Sequence, residues 1–387
     1  MGAIADLFKK NIRQYGMIIA LVFISIFFQI LTDGILLKPM NVTNLILQNS
    51  YILVLAIGMV LVIITGHIDL SVGSVAAFIG ALSAIMMVNW QLNPVLAVIL
   101  SLLMGALVGA WQGFWVAYVK IPAFIVTLAG MLIFRGLTMI VLNGQSIAPF
   151  PKSFQKISSG FIPDWFSGNS LHILTIVVGV ILSAIVVYQE FRIRQTQSKY
   201  GFEQVSFGVS VAKTVALVIV INLFTFVLAQ YSGIPNILII LMVLIAIYSF
   251  VMNRMTMGRH IYAIGGNEKA ASLSGVKTKR VTFWVFVNMG VMAALSGLLF
   301  AARLNSATPR AGVNFELDAI AACFIGGASA SGGIGTVIGA IIGGLVMGVM
   351  NNGMSLVGLG VDWQQGIKGL VLLLAVGLDI YNKSKTS

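Results

Sequence analysis

The chain has 387 residues, 59% of them hydrophobic and only 9% charged, with a formal net charge of +12 and a mean hydropathy of +1.01. Soluble domains carry about 25% charge, so an ordinary soluble globule is excluded and an integral membrane protein is indicated. The excess of positive charge is not a nucleic-acid footprint, because the basic residues lie mainly between apolar runs, the distribution of the positive-inside rule.

Apolar runs near the roughly 20 residues that cross a bilayer recur along the chain, and each is expected to be a helix because spanning backbone must satisfy its own hydrogen bonds. The short alternating segments of a β-barrel are not seen. The opening MGAIADLFKKNIRQYG lacks a small-residue cleavage site and reads as a retained anchor. Spans are expected at about 17–37 and 45–65. GHIDLSVG at 66–73 then leads into an apolar run to about 88. Asn93-Pro94 opens a span to about 118, Lys120-Ile-Pro122 punctuates, and a further span covers 123–142. Residues 143–170 form a polar loop with Pro149, Pro151 and Pro163. A span at 171–190 runs into a basic loop to 213, followed by spans at 213–230 and 236–252. After the polar stretch 253–280 come a span at 281–301, the polar RLNSATPRAGVNFELD, a Gly-rich region at 323–353 and a last span at 363–381.

Placing both termini, Lys120, the 190–213 loop and 253–280 on one side gathers sixteen basic residues there against five on the other. That bias sets the orientation, with both termini cytoplasmic. Both termini on one side requires an even number of crossings, and about ten are expected, with short or re-entrant pieces near 66–75 and 315–334. VAAFIGA at 75–81 resembles AACFIGGA at 321–328. A glycine ladder follows each, Gly105, Gly109 and Gly113 in the first half and Gly335, Gly339 and Gly343 in the second. Small residues every four positions let helix backbones approach closely. Two ladders running in opposite directions suit an inverted repeat.

Polar groups inside the apolar runs are costly and mark partners or cavities. Asp69, with Ser71 and Ser74, suits the cap of the following helix, and a direct contact with a solute is the open alternative. Arg135, in mid-span, is expected to pair with an acid such as Asp69 or to snorkel to an interface. Glu316 and Asp318 fit a helix N-terminus. Asn351 and Asn352 fit either a polar solute or interhelical hydrogen bonds. His67, His172 and His260 show no metal spacing, and Cys323 has no partner for a disulfide. No Gly-x-x-x-x-Gly-Lys-Ser/Thr loop exists for ATP. No nucleophile–base pair stands out, so neither catalytic residues nor a cofactor or metal is expected.

The 28 residues of 253–280 carry six basic residues against Glu268 alone. GRHIYAIGGN followed by EKAASLSGV suggests a tight turn and then a short helix that starts at Glu268. Alanines and Leu273 would give that helix one apolar face, open to lipid or a partner.

These residues resemble a known family. GRHIYAIGGNEKAASLSGV is similar to the cytoplasmic coupling segment of permease subunits of bacterial sugar ABC importers, the ribose/xylose/arabinose group. GHIDLSVGSVAAF resembles that family's signature near the second span, and FIGGASASGGIGTVIGAIIGG its Gly-rich C-terminal block. The three motifs stand in the expected order over nearly the whole chain, and the likeness is to xylose-type or multiple-monosaccharide permeases. The resemblance implies an all-α membrane permease domain over 1–387, with a coupling segment at 253–280 and a periplasmic loop at 143–170. It implies alternating access in the bacterial inner membrane, with ATP hydrolysed in separate ABC ATPase subunits. A second permease chain, a periplasmic sugar-binding protein and the lipid membrane would be the other partners. By resemblance Gly258, Gly265, Gly266, Asn267, Glu268, Ala271 and Gly275 belong to the coupling segment. Two other readings stay open at this point: an ion-coupled secondary transporter, and the same kind of importer carrying another small polar solute. A membrane scaffold without transport is a third, disfavoured by the ladders.

Overall fold

The computed structural model describes residues 12–166, 171–201 and 206–384. Lys9, Lys10 and Lys385 of the expected basic flanks, and parts of the 143–170 and 190–213 loops, lie outside these residues. In chain order the helices are α1 Ile12–Leu31, α2 Pro39–Ile64, α3 Val72–Ala84 with a π-helical turn Ile85–Asn89, α4 Pro94–Ala117 and α5 Ala123–Val141. Next come α6 Lys152–Ser159, α7 Ile173–Lys199, α8 Phe207–Ala229, α9 Asn236–Arg254 and α10 Thr256–Gly266. The last five are α11 Glu268–Leu273, α12 Thr278–Leu304, α13 Phe315–Ile325, α14 Val337–Leu356 and α15 Val361–Ser384. Among the described residues nine helices are long and apolar enough to span a bilayer, and α1 adds the shorter apolar stretch Gly16–Leu31. The expectation of about ten spans in an all-α protein agrees with this.

Some boundaries differ from the sequence reading for identifiable reasons. The basic loop expected from residue 190 is instead helical to Lys199, because no glycine or proline interrupts the chain before Gly201, whose φ is +68°. The polar 143–170 stretch contains α6, which follows Pro151 and ends at Gly160. Gly335 lies ahead of α14, with φ +155°, and so stands outside its ladder; Thr336 caps that helix by accepting from Gly339 N at 3.0 Å.

Two helices of similar apolarity have opposite fates. In α2, 83% of the apolar stretch is buried within the chain, whereas in α7 and α8 the shares are 17% and 11%. Glycine ladders hold the central helices together. The α4 ladder closes on α12: a Cβ at Gly105, Gly109 or Gly113 would crowd the carbonyl oxygens of Gly290, Phe286 and Phe283 respectively. Backbone contact this close is available only to glycine, and in lipid it is a main source of helix association. Gly339 and Gly343 close in the same way on Gly326 and Ala322.

The molecule has two ends. At one, Ile147 pairs with Ala307, Phe150 N donates to Asn305 Oδ1, and Phe161 pairs with Pro235. At the other, Gly333 N donates to the carbonyl of Ile64, and α10 and α11 lie alongside. The chain therefore passes from one end to the other between residues 307 and 332 by a loop and the short helix α13. The beginnings of α3 and α13 abut, Gly73 packing against Gly312 and Glu316, and the two helices run away from each other. Helix α13, with 11 residues, is the short piece expected near 315–334, whereas α3 with its π-helical turn is long enough to span.

Candidate functional site

The segment expected to couple is a helix–break–helix. Helix α10 continues through Gly265 and Gly266, so no tight turn occurs at these glycines. The break is Asn267, extended at φ −163°, whose side chain accepts from Ala270 N at 3.0 Å and caps α11. The chain leaves α11 through Gly275 at φ +89°. The glycines serve close approach instead of turning. Gly258 leaves no room for a side chain beside the backbone of Met252, and Gly265 sits against Ile64 O and Gly333 N. Gly266, by contrast, faces open space.

Three further contacts fix the segment. Tyr262 Oη donates to Gly335 O at 2.7 Å, Ala271 is buried, and Lys120 Nζ lies 3.0 Å from Glu268 Oε1. It is thereby tied to the end of α2, to the loop after α13 and to the α4–α5 connection. The expected apolar face of alanines plus Leu273 is split: Ala271 turns inward, whereas Ala270 and Leu273, three apart and so on one side, are exposed. Ala271 is 5% exposed while Leu273 is 90% exposed. A cavity of about 420 Å³ opens beside this junction, lined by His67, Lys120, Glu268, Lys279 and Thr282 among others.

The Lys120 hydrogen bond holds the Glu268 carboxyl below its ordinary range, against a smaller opposing effect of desolvation. A carboxyl depressed in this way stabilises the docked segment above its unfolded pKa and loses that contribution as pH falls through the folded value. Both side chains are about half exposed, 52% and 48%, so screening keeps the pair within about 0–1 kcal/mol. Lys120→Gln is accordingly expected to leave the thermal midpoint within about 2 °C at neutral pH. It should also flatten the acid limb of a midpoint-versus-pH curve. An unchanged acid limb would remove this pair from the docking.

The polar residues inside the bundle fall into three groups. Asp69 Oδ1 accepts from Ser71 N at 2.8 Å and Ser71 Oγ at 2.6 Å, and Gln112 Nε2 donates to Ser71 Oγ at 2.7 Å. All three residues are buried. Asp69 thus orders the turn ahead of α3; it does not cap N–H groups within the helix as expected. Glu316 stands in the first turn of α13 beside Gly73, and its buried Oε2 has no hydrogen-bond partner. Arg135 makes no ion pair with Asp69 or any other acid within 4.0 Å among the described residues, which corrects the expected pairing.

The second group is Asp318, also in the first turn of α13. Its Oδ1 lies 2.9 Å from Lys368 Nζ without hydrogen-bond alignment, while Oδ2 accepts from Lys368 at 3.3 Å and from Tyr51 Oη at 3.3 Å. In the third group Asn352 and Asn41 exchange hydrogen bonds of 2.8 and 3.1 Å between α14 and α2, the interhelical account of the asparagine pair. Asn351 Oδ1 is buried without a partner. The sequence reading missed Gln112, Tyr51 and Lys368. The readable signals were a lone amide between two ladder glycines and a lysine inside the last apolar run.

A buried, glycine-packed bundle with an ordered segment clamped to its most buried helix is the architecture of a multi-pass permease. Residues 41–376 match the family described as the branched-chain amino acid transport system / permease component, and the chain belongs to that family. It is 39% identical over 97% of its length, and 98% of the relative's, to the xylose transport system permease protein of Haemophilus influenzae. It is 38% identical over its full length to the Escherichia coli K12 xylose permease protein, covering 96% of that chain. To the ribose import permease protein of Bacillus subtilis it is 35% identical over 96% of its length and 94% of the relative's. No solved structure matches.

Proposed function

We propose that this chain forms the translocation path of an ATP-driven importer of monosaccharides, xylose-like or several sugars, in a bacterial inner membrane. The observation that carries the reading is the clamp of α10 and α11, through Gly265, onto the carbonyl end of α2 and the loop after α13. A load placed on the exposed Leu273 side of α11 passes through α10 and Gly265 to the most buried helix, the connection an alternating-access switch needs. Xylose and ribose permeases as full-length relatives support the solute class.

In this reading residues 253–280 face the cytoplasm and receive ABC ATPase subunits, and residues 143–170 face the periplasm and a sugar-binding protein. Both termini lie in the cytoplasm. A second copy of the chain completes the path, and the permease itself catalyses nothing. Gly258, Gly265, Asn267, Glu268, Ala271 and Gly275 shape the coupling segment, with Gly266 at its exposed end. Asp69, Ser71, Arg135, Glu316, Asp318, Asn351 and Asn352 are the candidate residues of the path, with Asp69 and Ser71 ordering the turn ahead of α3.

The test is purification of the tagged chain in mild detergent, identification of co-purifying proteins by mass, and uptake in proteoliposomes. An ATPase with two nucleotide-binding halves, or two copies of one, is expected, together with xylose uptake that stops without ATP. The buried Glu316 Oε2, which has no hydrogen-bond partner, is the feature that favours ion-coupled transport. Uptake driven by an ion gradient with no ATPase present would establish that alternative and overturn the importer.

A further inference from the structure

The α7–α8 hairpin is the least buried part of the bundle, with 17% and 11% of its apolar stretches inside the chain. Helix α7 has 27 residues, about 40 Å at the α-helical rise, and so exceeds the roughly 30 Å of hydrocarbon. Its start is held at the end of the molecule that carries the 143–166 loop: Asp164 accepts from Ile173 N at 2.8 Å. The excess length therefore emerges at the opposite end, the one that carries α10 and α11. Charge begins at Glu190, about 25 Å along, where a helix leaves hydrocarbon for the headgroup layer.

That emerging stretch has an unusual pairing pattern. Its acid, Glu190, is already engaged: Oε1 accepts from Ser210 Oγ at 2.6 Å, and Oε2 lies 3.7 Å from Lys213 Nζ. Each of the three cations that follow lies over an aromatic ring. Arg192 is 5.8 Å from the centre of Tyr188, Arg194 is 5.2 Å from Phe207, and Lys199 is 5.9 Å from Tyr200. None has a carboxylate within 4.0 Å among the described residues. Tyr188, Phe191 and Phe207 are all more than half exposed. Exposed rings beside cations at the rim of a spanning helix match the amphipathic belt of a membrane interface. Their charge is complementary to anionic headgroups of the cytoplasmic leaflet.

We propose that the Glu190–Lys199 end of α7, with Phe207 at the start of α8, is a binding site for anionic phospholipid headgroups. Arg192, Arg194 and Lys199 contact the phosphates, and the aromatic rings lie at the level of the glycerol backbone. An acidic protein surface has the same sign of charge, but the exposed flanks of α7 before Tyr188 and of α8 after Lys213 are apolar, as lipid requires and a water-facing partner does not, so the cations stand where a lipid-facing hairpin meets the headgroups. The site is independent of what the permease carries.

The experiment places the full chain in nanodiscs of phosphatidylcholine doped with phosphatidylglycerol and counts retained lipids by native mass spectrometry after detergent exchange. The wild-type chain is expected to retain phosphatidylglycerol over phosphatidylcholine by on the order of a hundredfold, since each of the three cations at the surface is worth roughly a fivefold preference. Arg192→Gln/Arg194→Gln/Lys199→Gln should lose that preference with an unchanged elution volume and melting midpoint. The charge-preserving Arg192→Lys/Arg194→Lys/Lys199→Arg should keep it. Should the neutral triple variant not fold, Arg194→Gln and Lys199→Gln singly give the same reading at smaller amplitude. Equal retention of both lipids by wild type, or an undiminished preference in the neutral variants, overturns the proposal. Loss of a co-purifying protein with lipid preference intact would assign the cluster to that protein instead.

Discussion

Gly265→Ala is expected to undo the docking of α10 onto the bundle, whereas Gly266→Ala, one residue away, is expected to be nearly silent. A Cβ at Gly265 would overlap the carbonyl oxygen of Ile64 and stand 2.5 Å from the amide of Gly333. Both obstacles are backbone, so neither can rotate aside, and both belong to the hydrogen bond by which Gly333 N meets Ile64 O at 2.9 Å. Overpacking against a fixed backbone costs about 1–3 kcal/mol. A shift of 1.4 kcal/mol between docked and undocked segments is tenfold in population. ATP-dependent uptake should therefore fall by about tenfold or more, with the chain still inserted in the membrane. At Gly266 an added Cβ meets nothing within 4 Å, and the change should stay within about 0.5 kcal/mol. Uptake and thermal midpoint measured on the two variants side by side check this. Equal behaviour of the pair would mean that the contact at Gly265 transmits nothing.

The same contrast shows where the sequence is informative. The glycine pair at 265–266 reads as a turn, because glycine in a polar stretch most often supplies unusual backbone angles. Here it lies in a helix, and what singles out Gly265 is a carbonyl 201 positions earlier in the chain, which no local pattern contains. The ladder of Gly105, Gly109 and Gly113 was legible, since its spacing alone places three glycines on one helix face. Its partner α12 was not, because nothing in the ladder names the helix that fills it. Apolarity located the spanning helices but could not tell the buried α2 from the lipid-facing α7, as lipid and a leucine core are equally apolar. Asp69, Glu316 and Asp318 stood out as acids inside apolar runs. Asp69 bonds within its own turn, and the carboxylate of Asp318 engages Lys368 on α15. Arg135, which charge alone would have paired with Asp69, has no carboxylate within 4.0 Å among the described residues. Proximity along the chain placed Asp69 at the turn before α3, as a cap instead of with the bonds it makes to Ser71, and had no access to the other contacts.

The Asp318–Lys368 pair should be the most costly single contact in the bundle to break from one side. Asp318 is 2% exposed, and Lys368 Nζ, 2.9 Å away, is the only cation within ion-pairing distance of it among the described residues. Lys368→Met would leave a carboxylate in the apolar interior with Tyr51 Oη, at 3.3 Å, as its remaining donor. Removing one partner of a buried pair costs about 3–5 kcal/mol; the 20% exposure of the lysine side chain places the loss at about 3 kcal/mol, after screening is allowed for. Asp318→Asn with Lys368→Met removes both charges and should recover most of that loss, because a neutral pair carries no desolvation penalty. The double-mutant cycle is therefore expected to show a coupling of at least about 1 kcal/mol, read from thermal midpoints in the same detergent. Additive effects would mean that the two charges are solvated separately and that α13 and α15 are held by packing alone. The result also bears on mechanism. Tyr51, stacked on Phe315 at 3.9 Å between ring centres, ties this ion pair to α2, the helix against which Gly265 rests. A strong coupling would make α2, α13 and α15 one mechanical unit running from the buried acid to the docking junction. A weak one would leave α15 free to move independently of the other two.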